Sequence, residues 1–488
     1  MSPPRPSPGP ILLAMVLLWL VLVLPLWLVE HPLLVDWPNH VARHQLAAIL
    51  PDHPVLSTLY EVRWRWIPNL AADLGVLPFQ LLTDPVTASR LVLSLGMLGW
   101  LAGPVALHRA FFGAWSAWPL ASGLFVYNAM LYWGFENAYL AAPLAVLGLA
   151  VAVATEAHPW RWPILAAVGL VVFTGHMVMW GVFVACLGAW LLWGPAEGRL
   201  RSLGASAIAL SPALVVFLVG QLMNPATHER KTIWAVVPIQ KIAVLVAPTL
   251  QNMPSVDLPL LLCVPLLLAL ARVLGTLEIH PRGAPVLGVL ALISIAMPTS
   301  LLGIAFMDLR VPCVLAALIF GVTRVSLPRA PATAVATLVV GAIAVRVGTL
   351  LPVWRAHDAE VRELQEVAGP VLEPGMRVLP AGTTSYVRWH APSTLVVEHA
   401  IFEPHLFTGA HVLHARPELA AIDHPVTWVP SREELTDPEQ RKPYLSTWWR
   451  DFDVLLWMED GAPPMPERMT ELARGSWFTL YRIDRSAR

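Results

Sequence analysis

The chain has 488 residues, of which 56% are hydrophobic and only 13% charged, with a mean hydropathy of +0.61. Soluble domains carry about 25% charged residues, so this composition excludes an ordinary soluble protein and points to an integral membrane protein with many spans. The net charge of −1 and the neutral isoelectric point exclude a basic nucleic-acid-binding surface.

Cys186, Cys263 and Cys313 all lie in apolar runs, and no CxxC pair occurs, so neither a disulfide framework nor a zinc motif is expected. Tryptophan is abundant at 22 residues and suits the lipid–water interface. Residues 1–10 read as a polar, proline-rich cytoplasmic N-terminus. The run 11–29 is long enough to cross a bilayer at about 1.5 Å per residue, and no small-residue cleavage site follows it, so it reads as a retained helix running outward.

Residues 30–70 then form a first extracytoplasmic loop. Pro38 marks a helix start, predicting a short helix over 38–50 that stops at Pro51. Residues 58–70 read as a second interfacial piece, in which Arg63 and Arg65 alternate with Trp64 and Trp66 and could meet anionic headgroups. Further spans are expected at 88–107, 118–132 and 135–155. A broken pair of short helices at 163–193 turns at Gly175-His176, and spans at 203–222, 258–274, 286–303, 311–322 and 332–351 follow. Segments 71–82 and 239–250 are too short to assign as spans with the same weight. The count is about eleven. Arg109, Arg161, Arg199, Arg201, Arg272, Arg282, Arg324 and Arg329 fall in alternate loops, which makes those loops cytoplasmic by the positive-inside pattern. A second external segment, 223–255, carries His228, Glu229, Arg230 and Lys231.

From 352 to 488 charged residues become frequent and no membrane-length run recurs. A helix over 357–371 and strands at 376–379, 394–397, 453–457 and 477–483 predict an extracytoplasmic α/β domain. The fold expected is therefore an α-helical polytopic membrane domain over 11–351 followed by that small α/β domain.

The densest chemistry lies just after the first span. Asp36, His40 and His44 are four apart in turn, so His40 and His44 share a helix face and Asp36 sits above the first turn. That spacing offers a general base or, with all three, ligands for a divalent cation (Mg²⁺ or Mn²⁺). The plain alternative is that Asp36 caps the helix and the histidines are interfacial. Arg43 is either a phosphate contact or a headgroup-facing side chain. Glu136 and Asn137 begin a span and face a cavity or a partner. His176 reads as an interhelical hydrogen-bonding group. Asp308-Leu309-Arg310 is either a self-paired turn or a place where Arg310 holds a phosphate. In the C-terminal domain, Arg388-Trp389-His390 and the stretch from Glu398 through His405 to Phe407 combine polar and aromatic side chains in a way that suits sugar binding or loop packing. No Walker loop, GxSxG elbow, HExxH or well-placed GxGxxG is present.

One helix, a large external loop with an aspartate directly after it, many spans and a C-terminal external domain resemble the GT-C superfamily of polyprenyl-phosphate-sugar glycosyltransferases. The string Asp36-Trp37-Pro38-Asn39-His40-Val41-Ala42-Arg43 also resembles a D-aromatic-P-N-H-x-A-R signature of bacterial membrane proteins of this type. The resemblance implies that the first-loop aspartate, here Asp36, acts as general base or orients the acceptor, in some branches through a divalent metal. Many members carry a second acid near that aspartate. Here Trp37, Pro38, Asn39 and His40 stand in its place, which counts against a metal. The implied reaction moves a sugar, with inversion, from a polyprenyl-phosphate donor to an unidentified extracytoplasmic hydroxyl at the bacterial inner membrane. Arg310, Arg43, Asn39, Asp308, Glu136, Arg388 and His405 are the candidate substrate and phosphate contacts. A lipid or polysaccharide transporter is the competing reading and predicts inverted repeats, none of which is visible. A non-catalytic envelope-assembly protein is the third.

Overall fold

Long apolar runs cannot leave backbone groups unpaired in lipid, so they wind into helices. The computed structural model describes residues 7–223, 232–235, 241–242, 244–301, 304–383, 385–409, 411–425 and 428–485. The charged stretch His228–Lys231, the start of the 239–250 segment and Thr384 lie outside the described residues. Among those described, six helices are long and apolar enough to cross a membrane: Pro8–Leu28, Pro85–Phe112, Glu136–Ala154, Arg199–Gly220, Pro254–Val273 and the helix that begins at Arg329. Four shorter apolar helices accompany them, Arg161–Gly175, Met177–Leu192, Gly283–Ala296 and Arg310–Val322. The break between Gly175 and Met177 falls where the sequence places it, at an extended His176.

The predicted span over 118–132 is not a regular helix. It is a 3-10 stretch, Trp118–Phe125, followed by one turn of helix, Ala129–Tyr132. Asn128 makes the difference. Its buried side chain accepts from the Met130 and Leu131 amides at 2.9 and 3.3 Å and restarts the winding there. Irregular backbone at this depth is tolerated because the whole stretch from Pro119 to Tyr132 is buried in protein. The run 332–351 also differs from expectation. It continues through Pro352 as one helix, Arg329–Ala368, so the helix predicted separately at 357–371 is its far end.

The chain divides into two compact units. One comprises 1–25, 66–74 and 92–350, and the other 26–65, 75–91 and 351–488. The first loop therefore groups with the C-terminal region, where the sequence reading had attached it to the transmembrane domain. The physical reason is the helix Trp37–Ile49, whose Ala42 and Leu46 are fully buried in one core with Leu364, Leu395, Phe402 and Leu456. Within residues 58–70, expected to be interfacial, Tyr60–Val62 forms a strand that pairs antiparallel with Leu413–Ala415, and Trp64 and Trp66 are exposed.

The second unit's main sheet has four strands in the order Val378–Ala381, Val454–Trp457, Thr479–Ile483, Met469–Arg474. The first pair is parallel and the other two pairs antiparallel. Val378–Ala381 and Val454–Trp457 are buried throughout, as their continuous apolar sequence requires. Residues 394–397, predicted as a strand, lie in the helix Thr394–His399. A short β-branched run does not discriminate the two states. Helical winding turns both Leu395 and Val396 into the core.

Within the membrane unit, Gly99 lies against Pro143 so closely that a Cβ would sit 2.8 Å from the ring, and this small residue lets the Pro85–Phe112 and Glu136–Ala154 helices touch. A buried ion pair ties the long helix to the start of the Pro254–Val273 helix. Arg346 donates to Asp257 at 2.6 Å and to the Thr249 carbonyl at 2.8 Å, while Asp257 accepts from the Gln251 and Met253 amides at 3.0 and 2.9 Å. Removing one partner strands a buried charge, at a cost of about 3–5 kcal/mol. Arg346→Met is expected to lower the thermal unfolding midpoint of the purified protein sharply. A midpoint equal to wild type would show that the pair does not hold this part of the fold.

Candidate functional site

The helix Trp37–Ile49 carries the D-W-P-N-H-x-A-R string into the interior of the second unit. Ala42 and Leu46 occupy its apolar face, yet Asn39, His40, Arg43 and His44 on the other faces are also buried, none more than 4% exposed. Burying so many polar groups is costly unless each meets a partner. Their placement therefore reflects specific contacts rather than an amphipathic surface.

Asp36 occupies the N-cap position, but its side chain makes no capping hydrogen bond. The capping reading thus fails. Oδ1 faces His390, 3.4 Å from Nε2, with both side chains buried. Asn39 holds the surrounding segments together. Its Oδ1 accepts from the Phe407 amide at 2.7 Å, and its Nδ2 donates to the His405 carbonyl at 2.9 Å and lies 3.1 Å from His390 Nδ1. His40 stacks on His44 with centroids 6.5 Å apart and meets the edge of Phe407 at 5.2 Å. Phe407 also meets the His390 ring at 5.1 Å and the His411 ring at 6.0 Å, so one aromatic side chain touches three imidazoles, two of which, His40 and His411, also meet each other at 6.3 Å.

His44 Nδ1 lies 2.9 Å from Ser89 Oγ, and that hydroxyl donates to the Pro85 carbonyl at 2.8 Å. Burial, reinforced by Arg43, holds both His40 and His44 well below the usual imidazole range, so both are neutral. Asp36, His40 and His44 do not converge. Among the described residues no group of three or more His, Cys, Asp or Glu side chains is placed to hold a metal ion. The residues therefore do not fit the divalent cation considered from the sequence, and no step is derived through one.

Arg43 is completely buried, which rules out a headgroup-facing role for it. His405 enters the cluster mainly through its backbone. Its ring lies 3.3 Å from the Tyr444 hydroxyl and 3.8 Å from Glu403, and burial holds it well below the usual range. Arg388 forms a bidentate pair with Glu360 at 2.8 and 3.1 Å and lies over the Trp477 ring. Its fork is thus occupied by protein.

The membrane unit holds a separate group. Asp308 and Arg310 do not pair with each other. Asp308 accepts from Lys241 Nζ and Thr299 Oγ1, both at 2.9 Å. Arg310 donates to the Ala305 carbonyl, lies 2.9 Å from His176 Nε2 and stacks over Phe135 at 4.6 Å. The Val178 amide also reaches His176, at Nδ1. A neutral imidazole offers one lone pair, so Arg310 and Val178 compete for it. Glu136 is buried in the first turn of its helix, where a carboxylate interacts favourably with the helix dipole. Asn137 accepts from the Ala72 amide at 2.7 Å.

Sequence reading named His390 and Phe407 only as parts of aromatic-polar strings and did not single out His411, Ser89 or Lys241. The one signal that could have found His390 and His411 is the concentration of histidines after position 390. Nothing in the sequence pairs Lys241 with Asp308.

Glu403 is a further buried acid beside this cluster. Oε2 accepts from Ser393 Oγ at 2.8 Å, and burial pushes its pKa up to about 7 from an ordinary value of 4.5. Asp423, which accepts from Thr408, is likewise pushed up to about 7 by burial. A raised folded-state pKa favours the protonated acid. The stabilisation is full below the unfolded value and is lost as pH rises through about 7. For Glu403 the shift corresponds to an effect on the order of 3 kcal/mol. Glu403→Gln, a neutral isostere, is expected to unfold at a higher temperature than wild type at pH 8 and to match it at pH 5. An identical pH dependence in the two proteins would refute the assignment.

The fold is that of a helical, polytopic membrane protein with a sheet-containing C-terminal region, and a solved structure shares it. The comparison behind that statement is structural: the chain superposes on the crystal structure of ArnT from Cupriavidus metallidurans bound to undecaprenyl phosphate, with a TM-score of 0.55, 14% sequence identity and 97% of each chain covered. At that identity the likeness establishes the fold. No family model matches the sequence, and no curated protein matches it.

Proposed function

We propose that the protein is a membrane glycosyltransferase of the bacterial inner membrane. It moves a sugar from a polyprenyl-phosphate donor to an extracytoplasmic hydroxyl, with Asp36 as general base. The observation that carries this reading is the state of Asp36. A carboxylate at a helix N-cap ordinarily bonds the first-turn amides; this one is buried, leaves them, and turns to an imidazole. Giving up a cap costs about 1 kcal/mol, and a chemical role explains why the side chain is held elsewhere. The GT-C architecture, shared along nearly the whole chain with a protein crystallised with undecaprenyl phosphate, supports the donor class.

In the proposed reaction Asp36 takes the proton of the acceptor hydroxyl. The oxygen forms a bond to the anomeric carbon as the bond from that carbon to the phosphate oxygen breaks, so the centre inverts and the lipid leaves as its phosphate. Arginine is suited to receive that charge. Arg310, which meets a carbonyl, an imidazole and a ring face, is the candidate in the membrane unit; Arg43 is the candidate in the second unit. The C-terminal region and the first loop are extracytoplasmic in this reading, and the acceptor is a lipid, glycan or protein hydroxyl.

A correctly placed base contributes about 10²–10⁴-fold. Asp36→Asn is therefore expected to slow release of undecaprenyl phosphate from a panel of undecaprenyl-phosphate hexoses by that factor, with an unchanged melting temperature. Wild-type turnover in a folded Asp36→Asn protein would remove the assignment. Arg310→Gln is expected to weaken binding of undecaprenyl phosphate itself by about tenfold, the worth of a charge-assisted hydrogen bond, as measured by titration in detergent. Unaltered affinity would take Arg310 out of the phosphate site.

A further inference from the structure

The Asn39 amide decides which nitrogen of His390 carries a proton. A backbone N–H can only donate, so the Phe407 amide fixes the oxygen end of Asn39, 2.7 Å away. The other end must then be the NH₂ group. It donates to the His405 carbonyl at 2.9 Å, and its second contact is His390 Nδ1 at 3.1 Å. A donor requires an acceptor, so Nδ1 holds its lone pair there, and the neutral ring carries its hydrogen on Nε2.

That N–H is the group that faces Asp36. Nε2 and Oδ1 are 3.4 Å apart, longer than a full hydrogen bond, and among the described residues neither atom has another hydrogen-bond partner. Contacts between catalytic groups are often long before substrate binds and tighten in the complex. The ring cannot swing away easily, because Phe407 packs edge-to-face with it at 5.1 Å and the residue is 1% exposed.

Two consequences follow. His390 cannot itself be the base, because one nitrogen already presents a hydrogen to Asp36 and the lone pair of the other is taken by Asn39. Nor can it relay a proton onward, since a proton arriving at Nδ1 would put two donors face to face. We propose that His390 is a positioning residue for Asp36. Its Nε2–H, set by Asn39, binds Oδ1 and aims Oδ2 at the acceptor hydroxyl. In the transfer step the acceptor proton goes to Oδ2, the carboxylate becomes a neutral acid, and the imidazole keeps a single proton throughout. This inference rests on the reading of Asp36 as the base.

The first test needs no substrate. Side-chain ¹⁵N spectra of histidine-labelled full-length protein, with the His390 signals assigned by their loss in His390→Gln, report the tautomer. The expected result is the Nε2–H form in the wild type. In Asn39→Asp the neighbouring group can only accept, so the proton is expected to appear on Nδ1. An Nδ1–H ring in the wild type, or an unchanged ring in Asn39→Asp, overturns the proposal.

The second test follows release of undecaprenyl phosphate from the undecaprenyl-phosphate hexose panel. His390→Ala is expected to lower kcat by about 10²-fold, the penalty of a reacting group displaced by roughly 1 Å, with KM for the lipid donor unchanged. His390→Gln restores a distal N–H and is expected to recover most of kcat, whereas a role in folding alone would not distinguish the two variants in kcat at equal melting temperature. Wild-type kcat in His390→Ala with an inactive Asp36→Asn would overturn the positioning role and leave the base intact. Activity in Asp36→Asn would overturn the base itself, while the tautomer measurement would still stand on its own.

Discussion

The second unit is organised around one side-chain amide. Asn39 satisfies a backbone N–H, a backbone carbonyl and a ring nitrogen at once, and it does so fully buried. In a low-dielectric interior each of those groups would cost on the order of 1–3 kcal/mol if left unmet. The amide therefore fastens the helix after the first span to the segment 405–407 and to the turn at His390. Residues separated by some 350 positions in the chain become one cluster through it. Aspartate in its place could not donate, and alanine could do none of the three tasks.

Burial then sets the charge of that cluster. His40, His44 and His405 are held neutral because no solvent reaches them, and the acids Glu403 and Asp423 are held toward their protonated forms for the same reason. A cluster of five imidazoles and several acids would be untenable if every group were ionised. Neutral His40 and His44 can instead pack on each other, and His40 on Phe407, as apolar bodies. Asp36 is set apart from the other acids of this region by its position at a helix start and by a neutral N–H donor facing it.

The membrane unit shows the opposite use of charge. Arg346 and Asp257 are buried and bonded to each other and to backbone groups, an arrangement that locks backbone. Arg310 is held by a carbonyl, an aromatic face and an imidazole whose lone pair another donor also seeks. The first pattern belongs to structure. The second sets a guanidinium, the side chain best suited to binding a phosphate, beside a ring face and an imidazole.

Much of this was written in the sequence. The apolar runs specified a polytopic helical chain because lipid leaves the backbone no alternative to internal hydrogen bonds. Pro38 marked the start of the key helix to within a residue, and the i, i+4 spacing put His40 and His44 on one face, where they stack. The break at Gly175-His176 was legible for the same local reason. Tertiary structure decided the rest. That the Asp36 side chain comes to face His390 is a contact that no local rule predicts. Whether 394–397 is strand or helix depends on which side chains the core takes, and the fate of 118–132 depends on the hydrogen bonds of a buried asparagine. Local pattern reports what a segment does alone. It is silent on contacts between residues hundreds of positions apart, and the Asp36–His390 pair and its Asn39 brace consist entirely of such contacts.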